Sequence, residues 1–148
     1  MKKINVSAEH SYDVLIGEFD IDHLKPLLKD CSKVALLYPS EISGMIDQIS
    51  AEWDLSVELI MIELPEGESQ KSADVLIEIW NTLSEHNFSR TDWIIGIGGG
   101  ATTDLAGFAA ASWLRGVNWV SVPTSVAGMV DAAIGGKTGI NIPAGKNL

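Results

Sequence analysis

From residue 33 onward the chain alternates strand-type apolar runs with segments of helical periodicity, and that alternation leaves few folds open. Lys33 to Tyr38, Ser56 to Leu64, Trp93 to Ile97 and Asn118 to Val122 read as strands rich in branched and aromatic residues. Between them Ile42 to Trp53 carries Ile42, Met45, Ile46 and Ile49 at helical spacing, and Ser72 to Phe88 aligns Val75, Leu76, Ile79, Trp80 and Leu83 on one stripe. A third helix, capped by Thr102 or Thr103, buries Leu105, Phe108, Ala109 and Trp113, and a fourth helical segment runs from Val126 to Ile134. The expected fold is α/β, with a largely parallel sheet and helices on both faces. Lys2 to Val6 and Tyr12 to Ile16 flank a polar Ala8-Glu9-His10-Ser11 and predict an N-terminal β-hairpin. Asp20 or Asp22 is expected to cap a helix through Leu24, Leu27 and Leu28. At 148 residues the chain suits one domain, and Gly135 to Leu148 forms a Gly/Pro-rich tail. Trp53, Trp80, Trp113 and Trp119 are expected in the core or under a partner surface.

Gly96-Ile97-Gly98-Gly99-Gly100-Ala101 matches the dinucleotide pattern G-x-G-x-x-A, and it lies between a strand and a helix, where the mechanism needs it. Glycine lets the backbone approach a pyrophosphate, and the helix N-terminus offers unpaired N–H groups. The pattern also expects an acid at the end of the next strand to bind ribose hydroxyls, but that stretch reads Trp119-Val-Ser-Val-Pro-Thr124. Any such acid comes from elsewhere, with Glu66 and Glu68 at an earlier strand end as candidates. Gly135-Gly136-Lys137-Thr138 is not a P-loop, because the pattern requires glycine where the chain has Asp131. It leaves a carboxylate six residues before an ammonium, suited to orienting a hydroxyl and neutralising a phosphate.

Residues 1–90 hold 7 Lys and Arg against 17 Asp and Glu, whereas residues 91–148 hold 3 of each, so the net charge of −10 sits in the first part. A phosphate backbone needs a basic footprint, and nucleic acid is excluded as a partner. The neutral second part holds 11 of the 14 glycines and the isolated cations Arg115, Lys137 and Lys146, candidate anion ligands. The single cysteine, Cys31, points to a reducing, cytoplasmic setting, and no run approaches the length of a membrane span. His10, His23 and His86 are scattered without metal-ligand spacing and read as solvated, and no G-x-S-x-G elbow is present.

The blocks Pro65-Glu-Gly-Glu-Ser-Gln-Lys71, Gly98-Gly-Gly-Ala-Thr-Thr-Asp104, Leu114-Arg115-Gly116, Val122-Pro-Thr124-Ser125, Val130-Asp131, Gly135-Gly-Lys137-Thr-Gly139, Asn141 and Gly145-Lys146-Asn147 follow the order seen in the 3-dehydroquinate synthases. The chain resembles the N-terminal, NAD-binding part of that family. The resemblance implies a Rossmann-like domain over 1–148, followed in the family by a helical domain that holds zinc or cobalt through a glutamate and two histidines. Those metal ligands are not expected in this chain, which alone should be inactive. The implied reaction converts 3-deoxy-D-arabino-heptulosonate 7-phosphate, a sugar phosphate, to 3-dehydroquinate and phosphate in the shikimate pathway; NAD transiently oxidises the C5 alcohol before phosphate leaves.

Residue by residue, the resemblance assigns Glu66, Gly67, Glu68 and Lys71 to the adenosine side of NAD. It assigns Gly99, Gly100, Ala101, Thr102 and Thr103 to the pyrophosphate turn, and Asp104 to the nicotinamide ribose. Thr124 and Ser125 match a Thr-Thr pair lining the cofactor, and Pro39 stands where many members have a polar ribose-binding residue. Asp131, Lys137, Lys146 and Asn147 surround nicotinamide and substrate, with Lys137 and Lys146 also on the cofactor; Arg115 reaches the substrate of a neighbouring subunit, which implies a homodimer. Two other readings compete. One is a related sugar-phosphate cyclase that makes a cyclitol, and the other is a non-catalytic nucleotide-binding fragment; an iron-dependent polyol dehydrogenase is more distant.

Overall fold

The computed structural model describes residues 1–8, 10–53 and 56–147. Strands β1 (Lys2–Val6) and β2 (Tyr12–Ile16) pair antiparallel with Lys2 opposite Ile16, forming the expected hairpin as a separate two-stranded sheet. Glu9, one of the polar residues expected between the two strands, lies outside the described residues. The hairpin is exposed on both faces, Ile4, Tyr12, Leu15 and Ile16 included.

The main sheet comprises β3 (Lys33–Pro39), β4 (Glu58–Leu64), β5 (Trp93–Gly98) and β6 (Asn118–Pro123). All pair in parallel, in the order β4-β3-β5-β6. Helices α1 (Ser43–Ala51), α2 (Ala73–Glu85) and α3 (Gly100–Ser112) make the crossovers. Side chains of β3 alternate between two cores, as strand periodicity requires. Val34, Leu36 and Tyr38 join Ile95 and Ile97 of β5 against Ile46 of α1 and the loop residues Leu24 and Leu28. Ala35 and Leu37 join Ile60, Ile62 and Ile94 against Leu76, Ile79 and Leu83 of α2 and Leu105 and Ala109 of α3. Helices thus cover both faces as expected, while Phe108, Trp53, Trp80, Trp113 and Trp119 pack half-buried at the core margins.

Asp92, wholly buried at the foot of β5, ties the strand bases together. Its Oδ1 accepts from the Ser32 and Lys33 N–H groups and the Ser32 hydroxyl (3.1, 2.9 and 3.1 Å), and its Oδ2 accepts from the Ser89 N–H and hydroxyl (2.7 and 2.8 Å).

Two expectations need correction. The helix through Leu28 is instead a 3-10 turn, Ile21–His23, followed by irregular turns. Asp20 caps that turn, accepting from the Asp22 N–H at 2.8 Å, while His23 reciprocates by accepting from the Asp20 N–H at 3.2 Å. Pro26 stops propagation, since it lacks an N–H and its ring clashes with the carbonyl four residues back. The N-cap of α3 is Gly99, not Thr102 or Thr103. Both threonines face inward and are buried, and the Thr103 hydroxyl donates back to the Gly100 carbonyl at 3.1 Å. The Val126–Ile134 segment is helical, but it includes a π turn at Gly128–Ala132, closed by the Ala133 N–H on the Gly128 carbonyl at 2.9 Å. Among the described residues no helix is long and apolar enough to cross a membrane.

Candidate functional site

The sheet grows outward in both directions from β3 and β5, so their carboxyl ends diverge and leave a crevice, the place where doubly wound sheets bind ligands. Pro39 closes β3 and Gly98 closes β5 on either side of it. A cavity of about 350 Å³ lies there, lined by Pro39 and Ile42, by Gly67, Glu68 and Gln70 of the turn after β4, by Gly99 to Thr102, and by Thr124 and Ser125 after β6.

The glycines divide into two jobs. A Cβ on Gly96 would lie 2.6 Å from the Ala106 Cβ, and one on Gly98 would lie 2.5 Å from the Thr102 hydroxyl, so these two let α3 sit close against β5. A Cβ on Gly99 would meet only the Ser125 hydroxyl, at 3.7 Å, and one on Gly100 only the Ala132 Cβ, at 3.4 Å. Their bareness serves the cavity rather than the packing. Among the described residues no side chain caps the N-terminus of α3, which leaves its first N–H groups and its positive dipole end facing the cavity. An anion fits that cradle. The Gln70 Oε1 and the Thr102 hydroxyl, both buried in this wall, have no hydrogen-bond partner among the described residues. Ser125 accepts the Gly128 N–H at 3.1 Å and so caps the segment that follows, while the Thr124 N–H donates to the Gly98 carbonyl at 2.8 Å and pins the loop beside the turn.

A second cavity, of about 760 Å³, opens beside the first turns of α3. It is lined by Asp104 of α3, Asp131 of the π turn, Gly136, Lys137, Thr138 and Asn147. Lys137 is exposed on its wall. The π turn has one residue more than an α-turn and carries Asp131 on the cavity side, a common use of this geometry.

Lys71 is placed differently from the other sequence candidates. Its side chain is 3% exposed, and its Nζ donates to Asp104 Oδ2 at 2.7 Å and to Asn147 Oδ1, behind the second cavity rather than at the glycine turn. Asp104, 21% exposed, receives that ammonium while lining the cavity. The tail docks onto the same turn: the Asn141 N–H donates to the Lys71 carbonyl at 2.7 Å, Asn141 Nδ2 donates to Glu68 Oε1 at 2.8 Å, and the Asn147 N–H donates to Asn141 Oδ1 at 3.0 Å. Sequence reasoning missed Gln70 as a wall residue and Asn141 as the link. A glutamine and an asparagine inside Gly/Ser-rich loops carry no periodic signal.

The remaining candidates stand apart. Glu66 accepts from the Ser40 hydroxyl at 3.2 Å outside the cavity lining, and Lys146 is exposed and lines neither cavity. Arg115 sits beyond the far end of α3, about 20 Å from the glycine turn by helix rise. Leu114 and Arg115 there both hold left-handed backbone, at φ 46° and 70°. Among the described residues no three His, Cys, Asp or Glu side chains gather as a metal site. Burial pushes the half-buried Cys31 thiol up, away from thiolate chemistry.

A parallel α/β domain with a bare-backbone helix N-terminus at its switch point has the doubly wound architecture on which nucleotide-binding domains are built. Comparison with known proteins narrows this. The family model described as 3-dehydroquinate synthase N-terminal matches residues 61–148, and the chain belongs to that family. It is 47% identical over 139 residues to the 3-dehydroquinate synthase of Streptomyces avermitilis, covering 93% of the chain and 38% of the relative. To that of Streptomyces coelicolor it is 48% identical over 146 residues, covering 96% and 40%. The chain thus spans about two fifths of these curated relatives. Among solved structures, 2-deoxy-scyllo-inosose synthase complexed with carbaglucose-6-phosphate, NAD+ and Co2+ superposes with a TM-score of 0.88 at 22% identity, over 99% of the chain and 42% of that protein. ValA, the 2-epi-5-epi-valiolone synthase of Streptomyces hygroscopicus subsp. jinggangensis 5008 with NAD+ and Zn2+ bound, superposes at 0.78 with 28% identity, over 97% and 41%.

Proposed function

We propose that this chain is the NAD-binding part of a 3-dehydroquinate synthase, the enzyme that converts 3-deoxy-D-arabino-heptulosonate 7-phosphate to 3-dehydroquinate and phosphate. The observation that carries the reading is the uncapped N-terminus of α3 opening through Gly99 and Gly100 into the switch-point cavity. In this reading the N–H groups of Gly100, Ala101 and Thr102 hold the pyrophosphate, and Glu68 on the cavity wall takes the ribose hydroxyls that the missing acid after β6 would otherwise bind. Thr124 and Ser125 border the same cavity and flank the cofactor.

When bound, NAD supplies a reversible hydride acceptor at the substrate's C5 alcohol. The chain's own groups prepare that place. Asp104 and Asn147, fixed from behind by the Lys71 ammonium, present oxygens and an amide to the second cavity, and Asp131 offers a carboxylate to orient a hydroxyl. Lys137 on the second cavity neutralises the substrate's phosphate, and the exposed Lys146 is the second cation that the resemblance assigns there. Arg115, which lines neither cavity of its own chain, serves a neighbouring copy in a homodimer, in a cytoplasmic enzyme. In this reading the family's zinc or cobalt is held by the glutamate and two histidines that the resemblance implies, in the part of the relatives that this chain does not span.

A cyclase making a cyclitol is the second reading, supported by the fold-level likeness to 2-deoxy-scyllo-inosose synthase. The 47% and 48% identities to 3-dehydroquinate synthases favour the first. The test is calorimetric titration of the chain with NAD and ADP. Dissociation constants between roughly micromolar and millimolar are expected, with ADP competing nearly as well as NAD, because the pyrophosphate and adenosine contacts are local. Nanomolar NAD affinity, or a folded chain that binds neither nucleotide, overturns the proposal.

A further inference from the structure

The two cavities are joined by an unbroken series of hydrogen bonds through one side chain. Glu68 lines the switch-point cavity, and Asn147 and Asp104 line the second. Asn141 lines neither, yet its amide donates to Glu68 Oε1 at 2.8 Å and accepts the Asn147 N–H at 3.0 Å. A carboxylate on one side and an N–H on the other admit only one orientation of the amide, so Asn141 is locked by its partners. From Asn147 the series continues through its side-chain oxygen to the Lys71 ammonium and on to Asp104 Oδ2, 2.7 Å from it. Asn147 sits in left-handed backbone, φ 54°, a conformation that asparagine adopts more readily than most residues.

We infer that Asn141 is a positioning residue that couples the two cavities, so that a nucleotide engaging Glu68 in the first orders Asn147 on the wall of the second. This rests on the nucleotide reading above and adds a direction of communication to it. The physical basis is shared ordering. Glu68 is an exposed, rotamer-rich side chain, and a ligand hydroxyl that fixes its carboxylate removes freedom that the Asn141 contact otherwise has to remove. The Asn141 bond to Glu68 then forms at lower entropic cost, and the acceptor it holds for the Asn147 N–H is more persistent. Adenosine-side binding thereby assembles the wall on which the reacting end of the substrate would rest.

Residue-resolved amide exchange by NMR tests this, with ADP as the probe because it lacks the nicotinamide half that would reach the second cavity directly. Saturating ADP should slow exchange of the Asn147 amide by at least about threefold. Asn141→Asp keeps an acceptor for that N–H but sets a carboxylate against Glu68. It should retain the nucleotide-free protection of Asn147 and lose the response to ADP, while ADP still binds within about threefold of its original affinity. A purely structural Asn141 would instead lower protection with and without ADP alike. The inference is overturned if the chain binds ADP without any change at Asn147, or if the response survives in Asn141→Asp. Failure of the chain to bind ADP at all would remove the nucleotide reading itself, an outcome the titration recognises separately. Should the variant not fold, the response of the unaltered chain still decides.

Discussion

Two lysines of this chain illustrate how position assigns different work to the same residue type. Lys71, buried against Asp104 and Asn147, is an internal fastener, and its replacement by methionine leaves a half-buried carboxylate without its cation. That change should cost about 3 kcal/mol in urea unfolding, and the double replacement with Asp104→Leu should recover much of it. Lys137, exposed on the second cavity, should tolerate Lys137→Ala within about 0.5 kcal/mol of stability. In a complete synthase carrying this chain, the same change should slow turnover by at least about tenfold, the worth of a charge-assisted contact of roughly 1.5 kcal/mol or more. Equal loss of stability in the two variants would contradict the assignment. Asp92 adds a titratable counterpart. Burial raises its carboxyl, but the bonds from Ser89, Lys33 and Ser32 outweigh this and hold it below the ordinary aspartate range. Because the folded value is the lower one, the stabilisation is complete above the unfolded value of about 3.9 and disappears as pH falls through the folded value. Unfolding free energy measured from pH 7 down to pH 2 should therefore fall more steeply below about pH 4 for the unaltered chain than for Asp92→Asn. The asparagine variant should already be weaker by about 2 kcal/mol at pH 7.

At the scale of elements, α3 makes two separable demands on glycine. A side chain on Gly107 would collide with the Thr138 methyl and stand 3.1 Å from the Trp119 ring, so Gly107→Ala should destabilise by about 1–3 kcal/mol while the unfolding transition stays cooperative. Gly99→Val should cost only about 1 kcal/mol of stability, the loss of a tolerated N-cap residue, since a Cβ there meets the Ser125 hydroxyl at 3.7 Å without a clash, yet abolish ADP binding in the same calorimetric titration. A collapsed melting temperature for Gly99→Val would assign this glycine to packing. The strands, α2 and the glycine turn are legible in the sequence because branched runs, the Leu76-Ile79-Leu83 stripe and G-x-G-x-x-A each carry their geometry locally. The cap at Gly99 is not, because a threonine that caps and a threonine buried in the first turn look alike until the opposing surface is known. Between Asp20 and Leu28 the leucine spacing points to a helix and Pro26 points against one, and the missing N–H wins. The buried pairing of Lys71 with Asp104 joins residues 33 apart in sequence, and no pattern announces a contact made only by the packing of α3 against the turn after β4.

Across the whole molecule, order should be uneven. The β1–β2 hairpin buries little and pairs with no strand of the main sheet, whereas Val34, Ala35, Leu37, Ile94 and Ile95 of the central strands are fully enclosed. Hairpin amides should exchange by local opening, several orders of magnitude faster than those of β3 and β5. Equal protection would show that the hairpin shares the global unfolding unit. The architecture as a whole is legible from the alternation of runs, but the placement of two cavities at one end of the sheet emerges only from the strand order. The carboxylates around the first cavity have a kinetic consequence. Glu41 and Glu68 stand on its wall, Glu66 lies next to them, and the molecule carries a net charge of −10. A polyanionic nucleotide such as ADP therefore diffuses toward the attractive end of α3 through a repulsive field, and mobile ions weaken that field beyond roughly 10 Å at about 0.1 M salt. Capture of ADP should speed up as salt is added, the reverse of the usual behaviour of an anion-binding site, and stopped-flow mixing at rising ionic strength would reveal it.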